Sequence, residues 1–145
     1  MQVSYHNYVK NKAKELSGYI TSVTVDGQEN LWMASSGVGL YKYNTRTSEM
    51  NLYGQSFGIT NMCNDVILDK ANRIWVAEGN KFSVLTPESN SVSRFSLPLY
   101  TNLMGFSNVM QTDGTGAIYS TLSKDIVRFS PDRLNLQPTL TSILI

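Results

Sequence analysis

The chain has 145 residues, of which 41% are hydrophobic and 16% are charged; this composition is typical of one folded domain and excludes a disordered segment. A formal net charge of +1 gives no electrostatic basis for binding nucleic acid or an anionic membrane surface. The single cysteine, Cys63, and the single histidine, His6, exclude an intrachain disulfide and the usual His/Cys metal sites, so we expect no cofactor.

Residues 1–19 predict one strand followed by a loop. The stretch VSYHNYV (residues 3–9) alternates as a strand does, and the short basic stretch VKNKAKELS after it is typical of a solvated loop. No apolar run approaches the roughly 18 residues of a membrane helix, and the first ten residues lack the apolar core of a signal peptide. We therefore expect no direct membrane contact by this segment.

A repeat occupies most of the remaining chain. An aspartate followed, after five intervening residues, by an aromatic residue occurs three times, at Asp26/Trp32, Asp69/Trp75 and Asp113/Tyr119. The steps between the aspartates are 43 and 44 residues. These steps divide the chain into three predicted units, residues 20–62, 63–106 and 107–136.

Each unit contains short strand-like segments separated by turn residues. In the first unit they are ITSVTV, LWMAS, GLYKYN and EMNLY, and the second unit also has four. The third shows at least three, with an ambiguous fourth around residues 134–136. Short strands with turn signals every 8–12 residues are typical of antiparallel all-β folds, and a period in the low forties with four strands indicates a β-propeller blade. We predict an all-β fold made of about three four-stranded propeller blades, belonging to a larger or self-assembled propeller.

The recurring aspartate and aromatic residues are interpreted as fold determinants. Asp, Gly and Asn supply the tight turn after the first strand of each unit. The aromatic side chain then packs against the neighbouring blade and buries about 150–250 Å². A row of tryptophans stacking on sugar rings is the alternative, but recurrence at one blade position favours packing.

The first unit carries a family resemblance. The stretch ITSVTVDGQENLWMASSGVGLYKYNT (residues 20–45) resembles the two-component-regulator propeller repeat, with Glu29 where that family prefers glycine. The second unit departs from the pattern by losing the glycine-rich loop, and the third by replacing tryptophan with Tyr119. The last stretch, FSPDRLNLQPTLTSILI (residues 129–145), resembles the junction at which such propellers end. The resemblance implies that residues 137–145 begin a following β-sandwich domain.

The resemblance also implies a function. Proteins of this family form the periplasmic sensor region of Bacteroides-type hybrid two-component systems, in which a histidine kinase lies elsewhere in the protein. We therefore expect a non-enzymatic, ligand-sensing segment that responds to oligosaccharides derived from glycans. Two alternatives stay open: a fragment of a propeller lyase or hydrolase, and a purely structural propeller that mediates dimerisation.

Three units do not close a propeller, which usually has four to eight blades. The strand predicted within residues 1–19 is, by its position, the outer strand of a preceding blade. One hypothesis is that two chains pair head to tail, each donating this strand, and close a six-bladed ring. The other is that the units pack against the remaining blades of the same protein.

The candidate ligand site lies in the loops that join the second strand to the third and one unit to the next. These loops gather at one mouth of a propeller and are rich here in amides with an aromatic residue, groups suited to neutral sugars. From them we predict the ligand-binding residues Glu78, Asn61, Tyr100 and Asn102. The alternative is that these are ordinary Asn-rich turns.

Overall fold

The computed structural model describes residues 1–3, 18–79, 81–96, 108–122 and 125–133. In these ranges the regular structure consists of strands and two short 3₁₀ helices, at Gln55–Phe57 and Pro131–Arg133. The strands are β1 (Tyr19–Val25), β2 (Asn30–Ser36), β3 (Gly39–Asn44), β4 (Met50–Tyr53), β5 (Asp65–Leu68), β6 (Ile74–Glu78), β7 (Lys81–Thr86), β8 (Ser91–Ser96), β9 (Met110–Thr112), β10 (Ile118–Leu122) and β11 (Asp125–Phe129). Within the described ranges, no helix has the length and apolar character needed to cross a membrane.

The strands form three separate antiparallel sheets. Blade 1 has the order β1-β2-β3-β4, blade 2 the order β5-β6-β7-β8, and blade 3 the order β9-β10-β11. The first strands of the blades are neighbours, β1 beside β5 and β5 beside β9. The predicted all-β fold with antiparallel blades is confirmed.

Several predicted features fall outside the described residues. They are the N-terminal strand within residues 3–9 (all but Val3), the fourth strand of the last blade at 134–136 and the sandwich junction at 137–145. The boundaries assigned to the units stay predictions.

Two apolar cores hold the blades together, each formed by the facing sides of two neighbouring sheets. The first contains Trp32, Ala34, Leu40 and Tyr53 from blade 1, Ile59 and Cys63 from the connection after it, and Val66, Ile74, Val76 and Leu85 from blade 2. The second contains Trp75, Ala77, Phe82 and Val84 from blade 2, with Met110, Ile118, Leu122, Val127 and Phe129 from blade 3. Trp32 and Trp75 are fully buried, as the packing interpretation predicts.

Packing against a following blade is not tested for Tyr119. Its side chain is 37% exposed, the Arg128 guanidinium lies 5.8 Å from the ring centroid, and Arg128 Nε donates to the phenol oxygen at 3.1 Å. Tyr119 holds the position of Trp75 in the repeat, so it faces away from blade 2. In the described part of the chain no fourth blade covers that side, and the ring is left to an arginine and to solvent.

The turn aspartates make a set of hydrogen bonds that the sequence spacing did not reveal. We call it the bracket: one carboxylate accepts from the backbone of its own turn and from the tryptophan six residues later. Asp69 Oδ1 accepts the backbone N–H groups of Ala71 and Arg73, at 2.8 and 2.9 Å. Its Oδ2 accepts the indole N–H of Trp75 at 2.7 Å. One carboxylate therefore closes the turn and also orients the tryptophan that packs against the next blade.

The same bracket recurs in the other blades. Asp26 Oδ2 accepts the Trp32 indole N–H at 2.8 Å, and its Oδ1 accepts the backbone N–H groups of Gln28 and Asn30. Asp113 keeps only the turn contacts, because tyrosine has no indole to donate. The interval of six residues from Asp to Trp is thus set by a hydrogen bond as well as by strand register.

These brackets predict acid sensitivity. Burial alone would raise the pKa of Asp26, but hydrogen bonds from Trp32, Asn30 and two backbone N–H groups together lower it below 3.8. The Thr115 hydroxyl is the main cause of the lowered pKa of Asp113. Because both values are depressed by folding, the associated stability is present above the unfolded pKa and lost as pH falls through the folded one. We expect the melting temperature to fall as the pH is lowered below about 4. In Asp26→Asn we expect a smaller fall over the same pH range.

Glu29 adopts a left-handed conformation with φ of 65°. The equivalent residues of the next two turns, Asn72 and Gly116, have φ of 59° and 90°. A left-handed backbone costs a residue with a Cβ about 1–2 kcal/mol, and the Glu29 carboxylate gains only a solvent-exposed ion pair with Arg46 at 3.5 Å. We expect Glu29→Gly to raise the free energy of unfolding by about 0.5–1 kcal/mol in urea denaturation. Asn72→Gly should change it less, because asparagine tolerates this conformation; an equal gain from both would contradict the strain at Glu29.

A buried carboxylate joins the first strands of all three blades. Asp65, at the start of β5, is 8% exposed. Its Oδ1 accepts from the Ser22 hydroxyl of β1 and from its neighbour Val66 N–H. Its Oδ2 accepts the Met110 N–H of β9 at 2.6 Å. One side chain thereby ties blade 1 to blade 3 through blade 2.

Candidate functional site

The loops predicted to gather at one mouth do contact one another. We call this side the connector end; its described part comprises the β2–β3 turn, Gly79, the connection at residues 54–64, and residue 108. Gly37 N–H in the β2–β3 turn donates to the Asn61 carbonyl at 2.7 Å, and Ser36 pairs with Met62 in an isolated bridge. Asn108 Nδ2 donates to the Gly79 carbonyl beside the β6–β7 turn at 2.8 Å.

Glu78 lies at the connector end, at the last position of β6. It is only 5% exposed. Its Oε1 accepts the backbone N–H of Thr60 at 2.5 Å, and its Oε2 accepts the Ser83 hydroxyl. Both carboxylate oxygens are therefore engaged in fixing the connection at residues 54–64 onto blade 2.

Asn61 is brought into the same region. It directly follows Thr60, the residue that Glu78 anchors, and its own backbone carbonyl holds the β2–β3 turn. The residue is exposed, so its amide is available at the surface. Tyr100 and Asn102 lie outside the described residues. The ligand-binding assignment of all four residues stays a prediction.

A chain of amides crosses the connector end between blades 2 and 3. Asn64 Nδ2 donates to Asn108 Oδ1 at 3.1 Å. Asn108 Nδ2 in turn donates to the carbonyls of Gly79 and Thr121. Asn108 is 2% exposed and was not among the predicted site residues. Its spacing of 44 residues from Asn64 is the sequence signal that marks it.

The cysteine beneath this surface is a buried thiol with low reactivity. Cys63 is fully buried, and its thiol donates to the Thr60 carbonyl at 3.3 Å. Burial, reinforced by the negative charge of Glu78, raises the pKa of the Cys63 thiol well above its ordinary value, so the sulfur stays protonated. Among the described residues, no cluster of His, Cys, Asp and Glu side chains is placed to hold a metal ion.

No protein-family model matches the chain, and no curated protein does. Solved structures do resemble it. The extracellular domain of the hybrid two-component system BT4673 from Bacteroides thetaiotaomicron superposes with a TM-score of 0.68 at 18% identity, over 79% of this chain and 16% of that one. The corresponding domain of BT3049, from the same organism, gives a TM-score of 0.50 at 15% identity, over 88% and 24%. A Trichoderma reesei protein of carbohydrate-active enzyme family AA12 gives 0.54 at 12%, over 88% and 40%.

These likenesses agree with the resemblance stated from the sequence, since two of the three are extracellular domains of hybrid two-component systems. At identities of 18% and below they establish the fold. The chain spans about a sixth of the BT4673 domain and about a quarter of the BT3049 domain.

Proposed function

We propose that this chain is a ligand-sensing and interaction segment of the periplasmic sensor region of a hybrid two-component system. The observation that carries the proposal is the shared blade architecture with the extracellular domains of BT4673 and BT3049. The family resemblance of residues 20–45 supports it independently, because it rests on residue types and spacing and not on the superposition.

The proposed ligand is an oligosaccharide released from a complex glycan. The connector end supports this choice with the exposed amide of Asn61 on a connection that Glu78 fixes in place. A primary amide can pair both a donor and an acceptor with sugar hydroxyls. In this proposal Glu78 positions the loop, while Asn61, Tyr100 and Asn102 contact the sugar.

The proposed macromolecular partners are the remaining blades of the same propeller or a second copy of the chain. Apolar side chains on the open sides of the outer blades support this: Val23 and Val25 of β1 are more than half exposed, and Ile126 of β11 is 74% exposed. In blade 2 the positions equivalent to all three are buried or partly buried against a neighbouring blade. Each open side therefore has the composition of a contact surface.

An enzymatic role is the second candidate, favoured by one observation, the likeness to the AA12 protein. The two roles differ in what happens to the sugar. A sensor returns the oligosaccharide unchanged and gains stability from binding it, whereas an enzyme converts it.

The deciding experiment uses the whole extracellular region that contains this chain, incubated with oligosaccharides from digested plant and host glycans. We expect one class of oligosaccharide to raise the melting temperature without any new product in chromatography, and Asn61→Ala to weaken that shift. Product formation would favour the enzyme. A source reading frame without a ~20-residue apolar segment and a kinase region downstream would contradict the sensor.

A further inference from the structure

Blades 1 and 2 leave an open cleft at the side opposite the connector end. Its volume is about 300 Å³, and it is lined by Asp26, Gly27, Gln28 and Lys42 of blade 1 and by Asn72, Pro87 and Glu88 of blade 2. We call it the turn-end cleft, since the turns after β1, β5 and β7 surround it.

The junction between blades 2 and 3 is bridged at the same repeat positions. There Lys70 crosses to blade 3 and donates from Nζ to the Gly114 carbonyl at 2.8 Å. Arg73 also crosses, and its guanidinium faces the Asp132 carboxylate at 3.6 Å. The repeat places Gly27 where blade 2 has Lys70. The turn-end cleft is therefore open because blade 1 lacks the long side chain that closes the next junction.

A second difference lies at the fourth position after the turn aspartate, where blade 1 has Asn30 and blade 2 has Arg73. Asn30 is too short to cross to blade 2, and its amide is used within blade 1, where it donates to both oxygens of Asp26. Glu88 occupies the position of Asp132 and has no ion-pair partner within the described ranges. The acid that faces an arginine at one junction thus has no such partner at the other, within the described ranges.

Lys42 supplies a cation to the same cleft. Lys42 lies opposite Trp32 in the β2–β3 ladder. In blade 2 the residue opposite Trp75 is the buried Val84. The Lys42 ammonium lies 5.4 Å from the Trp32 ring centroid and has no acidic partner within 4 Å in the part of the chain that is described. A polar, available group stands where the closed junction has an apolar one.

The lining residues divide into two kinds. Asp26 is fully used by the turn and the Trp32 indole, so it shapes the cleft without being free to bind. Four side chains make no hydrogen bond or ion pair within the described residues: the Lys42 ammonium, the Glu88 carboxylate and the primary amides of Gln28 and Asn72. Their charges cancel, and together they offer both donors and acceptors.

We infer that the turn-end cleft is a binding site for a neutral sugar of one or two rings. Hydroxyl groups donate and accept at once, which suits this mixture of donors and acceptors. The volume lies at the lower end of the roughly 300–1,000 Å³ typical of small-molecule sites. The inference takes its ligand class from the proposed function but places the contact at the side opposite the predicted residues.

The test is a titration of the full chain with neutral disaccharides (cellobiose, xylobiose and maltose), followed by amide chemical shifts in NMR. We expect one of them to shift the signals of Gln28, Lys42, Asn72 and Glu88, with a dissociation constant of about 1 mM, equivalent to about −4 kcal/mol. Absence of shifts at these residues with all three sugars overturns the inference.

Gly27→Lys is the decisive variant, because it restores the residue that fills the other junction. A Cβ at Gly27 meets no atom within 4 Å, and Gly114, the equivalent glycine of blade 3, is equally open. We expect Gly27→Lys to abolish the shifts and Gly114→Lys to leave them unchanged. Shifts that persist in Gly27→Lys overturn the inference; Lys42→Met, expected to weaken binding at least threefold, tests it should Gly27→Lys not fold.

The two proposals fail in different ways. Shifts confined to Asn61 and its neighbours would overturn the turn-end binding site but would agree with the proposed function. If the whole extracellular region binds no oligosaccharide in the thermal assay, the proposed ligand class fails as well.

Discussion

Trp75→Ala is expected to lower the free energy of unfolding by about 3–5 kcal/mol. The indole is fully buried between blades 2 and 3, with the Phe129 ring at a centroid distance of 5.2 Å. Its N–H donates to Asp69 at 2.7 Å. The substitution therefore opens a cavity between two sheets and leaves a buried carboxylate oxygen with one donor fewer.

The measurement is urea denaturation followed by circular dichroism. Tyr119→Ala is the matched control: it removes an aromatic at the same repeat position, but one that is partly exposed, so we expect about 1 kcal/mol or less. Trp75→Phe should fall between the two, since it keeps a packed ring and loses the hydrogen bond. Equal losses at Trp75 and Tyr119 would refute the packing role assigned to the buried indole.

Asp65→Ala is expected to cost about 3 kcal/mol. Three donors from three strands converge on this carboxylate, and the substitution leaves the Met110 N–H without its acceptor. A buried donor that loses its partner pays most of its desolvation cost, about 1–3 kcal/mol. The loss should appear in the stability of all three blades together, because the side chain connects their sheets.

Ser22→Ala separates the contributions. It removes only the contact with blade 1 and keeps the bond to Met110, so we expect a loss of about 1 kcal/mol. Both variants should unfold in one transition with an unchanged dependence on urea. A second transition in Asp65→Ala, with blade 3 melting on its own, would instead indicate that the carboxylate mainly couples blades; no loss at all would contradict its structural importance.

The sequence predicts the blades well because their determinants are local. Asp69, its turn and Trp75 lie within seven residues, and the same short interval recurs at Asp26, so period and strand order can be read without knowing any long-range contact. The packing of Trp32 follows from this, because a repeated aromatic with a blade after it must be buried.

The rest depends on partners distant in sequence. The sequence predicts Glu78 as a ligand residue because it lies in a loop at the mouth. In the folded chain its two carboxylate oxygens accept from the Thr60 N–H and the Ser83 hydroxyl, which are not its neighbours in sequence. Tyr119 matches the tryptophan position, and its exposure depends on what lies beyond blade 3. Asp65 lies outside the repeated turn motif, so nothing in the period singled it out.

The convergence on Asp65 also constrains how such an array can evolve. The repeat positions that correspond to Asp65 are Ser22 in blade 1 and Val109 in blade 3, so the carboxylate has no copy in its neighbours. Duplication or exchange of a blade would place the Asp65 carboxylate beside a strand that lacks the Ser22 hydroxyl. In the other direction, it would place the Ser22 hydroxyl beside a strand that lacks the carboxylate. Although the three blades share one design, their order in the gene is not interchangeable.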